Sequence, residues 1–258
     1  MALRLLLPPS VGSARARARA ELLDQSLRAA LAEPMSIAVA DSYADLAQQV
    51  EREEAHLVWM PPTVAARLEP ILRSVFKCVR HGQTTYRSSI VARRRAFGSI
   101  DDLAGARAAW VDPLSVGGHL LARSALRENG VFARIGEQRF HGDYPSALGA
   151  VLDGQADFAA ITVRDDSPAA LRDSLASFGG RPAADRLAGL HATHPSPNDA
   201  IGVTAALHAR AADRIVQRVF RDRRARAQAA LCLALDAEGF VRAEPDEYAP
   251  LRRLIKDA

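Results

Sequence analysis

The residues best suited to chemistry lie in two loops. One is Asp112-Pro113-Leu114-Ser115-Val116-Gly117-Gly118, the other Gly142-Asp143-Tyr144-Pro145, and each follows an expected strand and opens a helical pattern. The first N–H groups of a helix have no carbonyl partner within it, and the positive end of the helix dipole lies beside them. Two helix starts set at strand ends are therefore suited to holding a small anion. Gly117 and Gly118 let a ligand approach the main chain closely, and Ser115 adds a hydroxyl. The other reading of this segment is a plain strand-to-helix turn, and the loop alone does not separate the two.

No other chemistry is written as plainly. There is no G-x-S-x-G, no Walker A loop and no G-x-G-x-x-G after a strand. His191 and His194 form an H-x-x-H, but no further Cys, His or acidic cluster completes a zinc set, so a loop pair is expected and no metal. An enzyme would need a placed acid, base or lysine. Lys77 and Lys256 are the only lysines, and neither falls on an expected ligand loop. Cys78 and Cys232 read as isolated thiols, without a disulfide framework. No cofactor is expected. The formal charge of +4 is carried by arginine, and aromatic residues are not interleaved with it. That describes a solvated basic surface and excludes a nucleic-acid partner. No run is long enough for membrane insertion. In MALRLLLPPSVGSARARARA the arginines follow the apolar run, the reverse of a signal peptide. The expected location is cytoplasmic as written, and periplasmic if the true start lies upstream.

The elements that must position these loops alternate. Strands are expected at Leu3–Leu7, Ser36–Ala40, His56–Met60, Val75–Val79 and Ser88–Arg93, then at Ala108–Val111, Ala133–Arg139, Phe158–Val163 and Ile201–Ala205. Ser13 can cap a helix to about Ala32, with Leu23, Leu27 and Leu31 on one face. Ser42 can cap another that ends in Glu51–Glu54. Further helices are expected at Val116–Glu128, Pro145–Leu152, Pro168–Ser177, His208–Phe220, Arg223–Asp236 and Asp246–Asp257, with Phe178–Arg186 a loop. Such alternation predicts an α/β protein with largely parallel sheets.

The order of these motifs resembles a family. A tyrosine precedes a short apolar strand, then come D-L-x-G-x-R (Asp102–Arg107), a strand, D-P-x-S-x-x-G (Asp112–Gly118), a helix, G-x-x-x-x-A-L (Gly142–Leu148) and G-x-A-D (Gly154–Asp157). ADSYADL, HLVWMPP, PNDAIGV and LDAEGFVRAEPDEYAPLRRL extend the likeness over most of the chain. The pattern is similar to that of the phosphonate/phosphate-type substrate-binding proteins of ABC transporters, which have the type 2 periplasmic-binding-protein fold. The resemblance implies two lobes, 1–85 plus 195–258 and 86–194, joined by two crossings and closing by hinge motion on a ligand in the cleft between them.

It also implies site residues. In the family the first loop carries Ser-Thr-Ser-Gly, whose hydroxyl and N–H groups grip phosphoryl oxygens. Here Ser115 matches the first serine and Gly118 the glycine, while Val116 and Gly117 stand where two hydroxyl residues would be. Tyr43 and Tyr86 match ligand-contacting tyrosines, and Tyr144 holds the place of a histidine. Arg164 stands where an acidic group can meet a substrate amine, and Asp199 matches a second acidic position. An arginine and an aspartate facing one another would suit a zwitterion. Asp157 is expected to fix a turn. The implied function is non-catalytic binding of a small anionic or zwitterionic solute, phosphonate/phosphate-like or amino-acid-like, as a solute-binding protein or ligand sensor. An ABC permease or a signalling kinase would be its partner. A cytoplasmic biosynthetic enzyme on the same fold is the alternative.

Overall fold

The computed structural model describes residues 3–8, 21, 23–25, 27–28, 34–222 and 226–256. The chain divides into two compact units, Met1–Thr84 with Pro197–Arg252, and Thr85–Ser196 with Arg253–Ala258. Most of the helix expected from Ser13 to Ala32, with Arg15, Arg17, Arg19 and Leu31, lies outside the described residues; Leu23 and Leu27 are buried in the first core.

The first unit is built on six strands: β1 (Leu3–Leu7), β2 (Met35–Val39), β3 (Leu57–Met60), β4 (Ser74–Val79), β11 (Ala200–Val203) and β12 (Gly239–Arg242). Their order is β12-β4-β11-β3-β1-β2. Every residue of β3 and β11 is buried, as expected of apolar runs in the middle of a sheet covered on both faces. Two helices follow β2 and β3, α1 (Tyr43–Glu51) and α2 (Pro62–Leu68). Ser42 caps α1 by accepting from the Asp45 N–H at 3.0 Å, and Asp45 Oδ2 accepts in return from the Asp41 N–H at 3.0 Å. Phe76 stacks on Phe220 with centroids 4.0 Å apart, and Phe240 meets Phe220 edge-on at 5.5 Å, which closes the core over one sheet face.

The second unit carries β5 (Thr85–Arg93), β6 (Ala108–Trp110), β7 (Gln138–Phe140), β8 (Phe158–Val163), β9 (Leu187–Ala192) and the two-residue β10 (Ser196–Pro197), in the order β10-β5-β8-β6-β7 with β9 also paired to β5. Its helices are α3 (Leu121–Glu128), α4 (Tyr144–Leu152) and α5 (Pro168–Arg186). Back in the first unit come α6 (Ala209–Val216) and α7 (Arg226–Leu235), and α8 (Ala249–Lys256) ends the described chain.

The α/β expectation holds, but the sheets are mixed rather than largely parallel. Strands joined by helical crossovers are parallel: β1 with β2 and β3, and β6 with β7 and β8. Strands without such a crossover run the other way. β11 is inserted antiparallel between β3 and β4, β12 lies antiparallel to β4, and β5 is antiparallel to β8 and β9. A right-handed βαβ unit fixes direction only within its own segment, so a segment returning from elsewhere in the chain is free to reverse.

Two local expectations are corrected. Phe178–Arg186 is helical, not a loop, interrupted only at Gly180, whose φ of 67° breaks α5 so that Pro182 falls in the first turn of a new segment, where proline is tolerated. The strand expected at Ala133–Arg139 is instead a 3-10 turn at Phe132–Arg134, an irregular stretch over 135–137 and then β7, whose Gln138, Arg139 and Phe140 are all exposed.

Candidate functional site

Within the second unit, β6 ends at Trp110 and delivers the loop Asp112–Ser115. Asp112 organises it: its Oδ1 accepts from the Leu114 N–H at 2.8 Å, and its carbonyl accepts from the Ser115 N–H at 3.0 Å. Ser115 is extended (φ −69°, ψ 113°) and its Oγ caps the following helix by accepting from the Gly118 N–H at 3.1 Å. Val116–Leu120 then form one wide helical turn that runs directly into α3. Ser115 is half-buried, and the turn behind it is buried throughout.

Gly117 explains why glycine is needed here. A Cβ at this position would overlap the Thr162 Cγ2 methyl and come within 3.0 Å of the Tyr144 hydroxyl. Gly118 is equally confined, with Val111 and the Ser115 Oγ against it. Behind the turn, the fully buried Ser88 of β5 donates its hydroxyl to the Gly117 carbonyl at 2.6 Å. Ser88 and Thr162 are cross-strand partners, so hydroxyl residues of two neighbouring strands meet under the same turn.

The two helix starts thus come together through Tyr144, the first residue of α4. Its ring stacks on Phe178, with centroids 4.4 Å apart and planes 24° apart, which fixes the hydroxyl beside Gly117. The two starts differ electrically. Asp143 caps α4 by accepting from the Ser146 N–H at 2.7 Å, and hydrogen bonds from Ser146 hold its carboxyl below the usual carboxylate range. A built-in negative charge therefore already occupies the end of that dipole. Ser115 caps the other helix with a neutral hydroxyl. Of the two, the Ser115–Gly118 start is the one without a built-in charge, and α4 sets the Tyr144 hydroxyl beside it.

Behind this loop His119 is buried between Trp110 and Phe140, at 5.2 and 5.1 Å between ring centroids, and its Nδ1 lies 2.9 Å from the Pro113 carbonyl. Burial pushes its pKa below the ordinary value, so it is a neutral imidazole with the proton on Nδ1, pinning the loop. In the first unit His56 accepts the Arg4 N–H at Nδ1 (2.9 Å), and burial followed by the Arg4 charge lowers its pKa too. The sign follows. In both cases the unfolded state holds the proton more tightly, so their contribution is full above about pH 6.5 and is lost as pH falls through the lowered folded values. The melting temperature is expected to drop between pH 7 and pH 5, before the carboxylates titrate. A flat profile across that window in thermal melts contradicts this assignment.

The remaining residues singled out from sequence have these surroundings. Tyr86 lies on β5 two residues before Ser88, hence on the same strand face, and is half-buried. Arg164, just beyond β8, pairs with Asp173 at 2.7 Å and with Asp165 at 3.4 Å. Asp157 accepts the Arg107 N–H at 2.8 Å and the Arg107 Nε at 3.0 Å, which fixes the turn before β8 as expected. In the first unit Tyr43 opens α1 directly after its cap. Asp199 accepts from the Trp59 indole N–H and from the forked guanidinium of Arg80, and the Cys78 Sγ lies 3.6 Å away. Arg80 in turn donates to the Leu235 and Asp236 carbonyls, each at 2.8 Å. Burial and the Asp199 charge push the Cys78 thiol well up, so it stays protonated. Among the described residues, no group of His, Cys, Asp and Glu could hold a metal.

The model for the phosphonate periplasmic substrate-binding proteins of ABC transporters matches residues 5–248. The chain belongs to this family. Its members bind small ligands for a membrane permease and are periplasmic binding proteins rather than enzymes, so the enzymatic alternative is not supported. No curated protein matches the chain in sequence. Among solved structures, XAC2383 from Xanthomonas citri bound to chloride ion is 18% identical over 98% of this chain and 96% of that one, with a TM-score of 0.80. PhnD1 from Prochlorococcus marinus in complex with methylphosphonate is 14% identical over 99% and 97%, with a TM-score of 0.72. A binding-protein component of an ABC phosphonate transporter from Pseudomonas aeruginosa is 17% identical over 98% and 85%, with a TM-score of 0.69. These likenesses give the chain the type 2 periplasmic-binding-protein fold. No helix among the described residues is long and apolar enough to cross a membrane.

Two contributors to the candidate site, Ser88 and Thr162, escape the sequence reading. The signal for them is a hydroxyl residue set beside an apolar run, in SSIVA and in AAITV.

Proposed function

We propose that this family member binds a small oxyanion of the phosphonate or phosphate class at the Ser115–Gly118 helix start of its second unit. The observation that carries the reading is the meeting of that neutral-capped helix start with the Tyr144 hydroxyl at Gly117. The N–H groups at the start and the Ser115 hydroxyl supply donors to the oxyanion, and Tyr144 supplies the hydroxyl that Val116 and Gly117 lack. Tyr86 of the same unit joins it through the family resemblance, while Tyr43 and Asp199 remain positions of the first unit that the resemblance alone assigns to ligand binding. Arg164 and Asp199 each hold an oppositely charged partner of their own, which favours a plain oxyanion over a zwitterion.

Thermal shift tests this. Phosphate, phosphite, methylphosphonate, ATP, amino acids and dicarboxylates are added singly to the full chain. A binder at a hundred times its Kd stabilises by about 2.7 kcal/mol, which raises the melting temperature of a protein this size by several degrees. Phosphonate or phosphate is expected to give the largest shift. A response only to amino acids moves the ligand class to zwitterions, and silence across the panel removes the proposal.

A further inference from the structure

Ser88 lies behind the helix start and does not face solvent, being 0% exposed. Its hydroxyl donates to the Gly117 carbonyl at 2.6 Å. That carbonyl belongs to the same peptide group as the Gly118 N–H, which points the opposite way across the plane. The Gly118 N–H donates to the Ser115 Oγ at 3.1 Å. Four groups therefore form one line of donation: Ser88 O–H to the Gly117 carbonyl, across the peptide to the Gly118 N–H, and on to the Ser115 oxygen. The Ser115 hydroxyl hydrogen is its outer end. Donation into a peptide carbonyl polarises the N–H on the far side, and an oxygen that accepts a stronger hydrogen bond becomes a better donor through its own proton.

Ser88 is itself held. Its N–H donates to the Thr193 Oγ1 at 3.0 Å, its carbonyl accepts from the Thr193 N–H at 2.9 Å, and the Thr193 hydroxyl donates to the His194 carbonyl at 3.0 Å. Thr193 is 3% exposed. With both backbone groups of Ser88 engaged on Thr193, its hydroxyl is the one left for Gly117.

We propose that Ser88 is a positioning residue for oxyanion binding. It never touches the ligand; it orients and polarises the Gly117–Gly118 peptide so that Ser115 donates more strongly. This rests on the oxyanion reading above.

Calorimetric titration of inorganic phosphate and methylphosphonate tests it on the full chain, with Ser88→Ala, Ser88→Cys, Ser115→Ala and the Ser88→Cys/Ser115→Ala pair. Cysteine keeps the shape of serine with a somewhat larger, weakly donating sulfur, so it gives a second reading if alanine perturbs the fold. Ser88→Cys is expected to weaken binding about two- to threefold, because polarisation along a hydrogen-bond line strengthens each bond by only about 10–30%, and to lower the ligand-free melting temperature by a few degrees at most. In the Ser115→Ala background the same change is expected to leave affinity where it was, because the outer end of the line is gone. Unchanged affinity in Ser88→Cys overturns the proposal, as does an equal loss in both backgrounds. Absence of binding by the wild-type chain overturns the oxyanion reading itself, and this inference with it.

Discussion

Asp199→Ala destabilises the folded protein by about 3 kcal/mol, the cost expected when one partner of a largely buried ion pair is removed. The figure sits at the low end for such pairs because the Asp199 and Arg80 side chains keep 15% and 27% of their exposure. The loss has two parts. Arg80, still fixed by the Leu235 and Asp236 carbonyls, keeps its charge without the carboxylate, and the Trp59 indole N–H loses its acceptor next to the buried strand β3. For a chain of this size the melting temperature falls by roughly 6–12 °C. Asp199→Asn, which keeps an acceptor for Trp59 but not the charge, falls between alanine and wild type. A residue whose main work was to meet ligand would behave in the opposite manner: alanine would leave the ligand-free melt in place and lower affinity alone. Thermal melts with and without phosphate separate the two roles.

Gly117→Ala is the second large effect. The added methyl lands on Thr162 Cγ2, and overpacking of this kind costs about 1–3 kcal/mol as side chains and backbone shift. The displaced groups are Thr162, Tyr144 and the turn whose amides face the proposed oxyanion, so binding falls with stability. Both are expected to recover in Gly117→Ala/Thr162→Ser, because serine removes the obstructing methyl and keeps the hydroxyl. Melting temperature and phosphate affinity of the single and double variants measure this. If Thr162→Ser restores nothing, the close approach at Gly117 is not what requires glycine there.

What could be read from the chain divides by the range of the signal. The loop at Ser115 was legible because a helix start is a local event: Asp112, Ser115 and the two glycines announce it within seven residues, and Asp143-Tyr144-Pro145 does the same for α4. Strands such as Leu57–Met60 and Phe158–Val163 were legible as apolar runs, the second broken only by Thr162. β9 and β12 were not. LAGLHA has weak strand formers, and GFVR is a four-residue edge strand with Val241 and Arg242 exposed, so neither carries a two-residue alternation long enough to notice. The site's second layer was hidden for another reason. Ser88 and Thr162 reach Gly117 only once β5 and β8 pair, and no local pattern records that pairing. Asp199 stands out in the chain only through resemblance; nothing local in PND records that its carboxylate meets the Arg80 guanidinium and the Trp59 indole N–H.

The placing of β11 has a consequence for how the chain is made. The five longer strands of the second sheet follow one another between residues 85 and 192, so they can assemble as soon as that stretch has left the ribosome. In the first sheet β3 and β4 meet only through β11, and β11 emerges more than a hundred residues after them. Until then the newborn N-terminal third has two unpaired strand borders and an unfilled slot. Completion of the first sheet therefore waits for nearly the whole polypeptide.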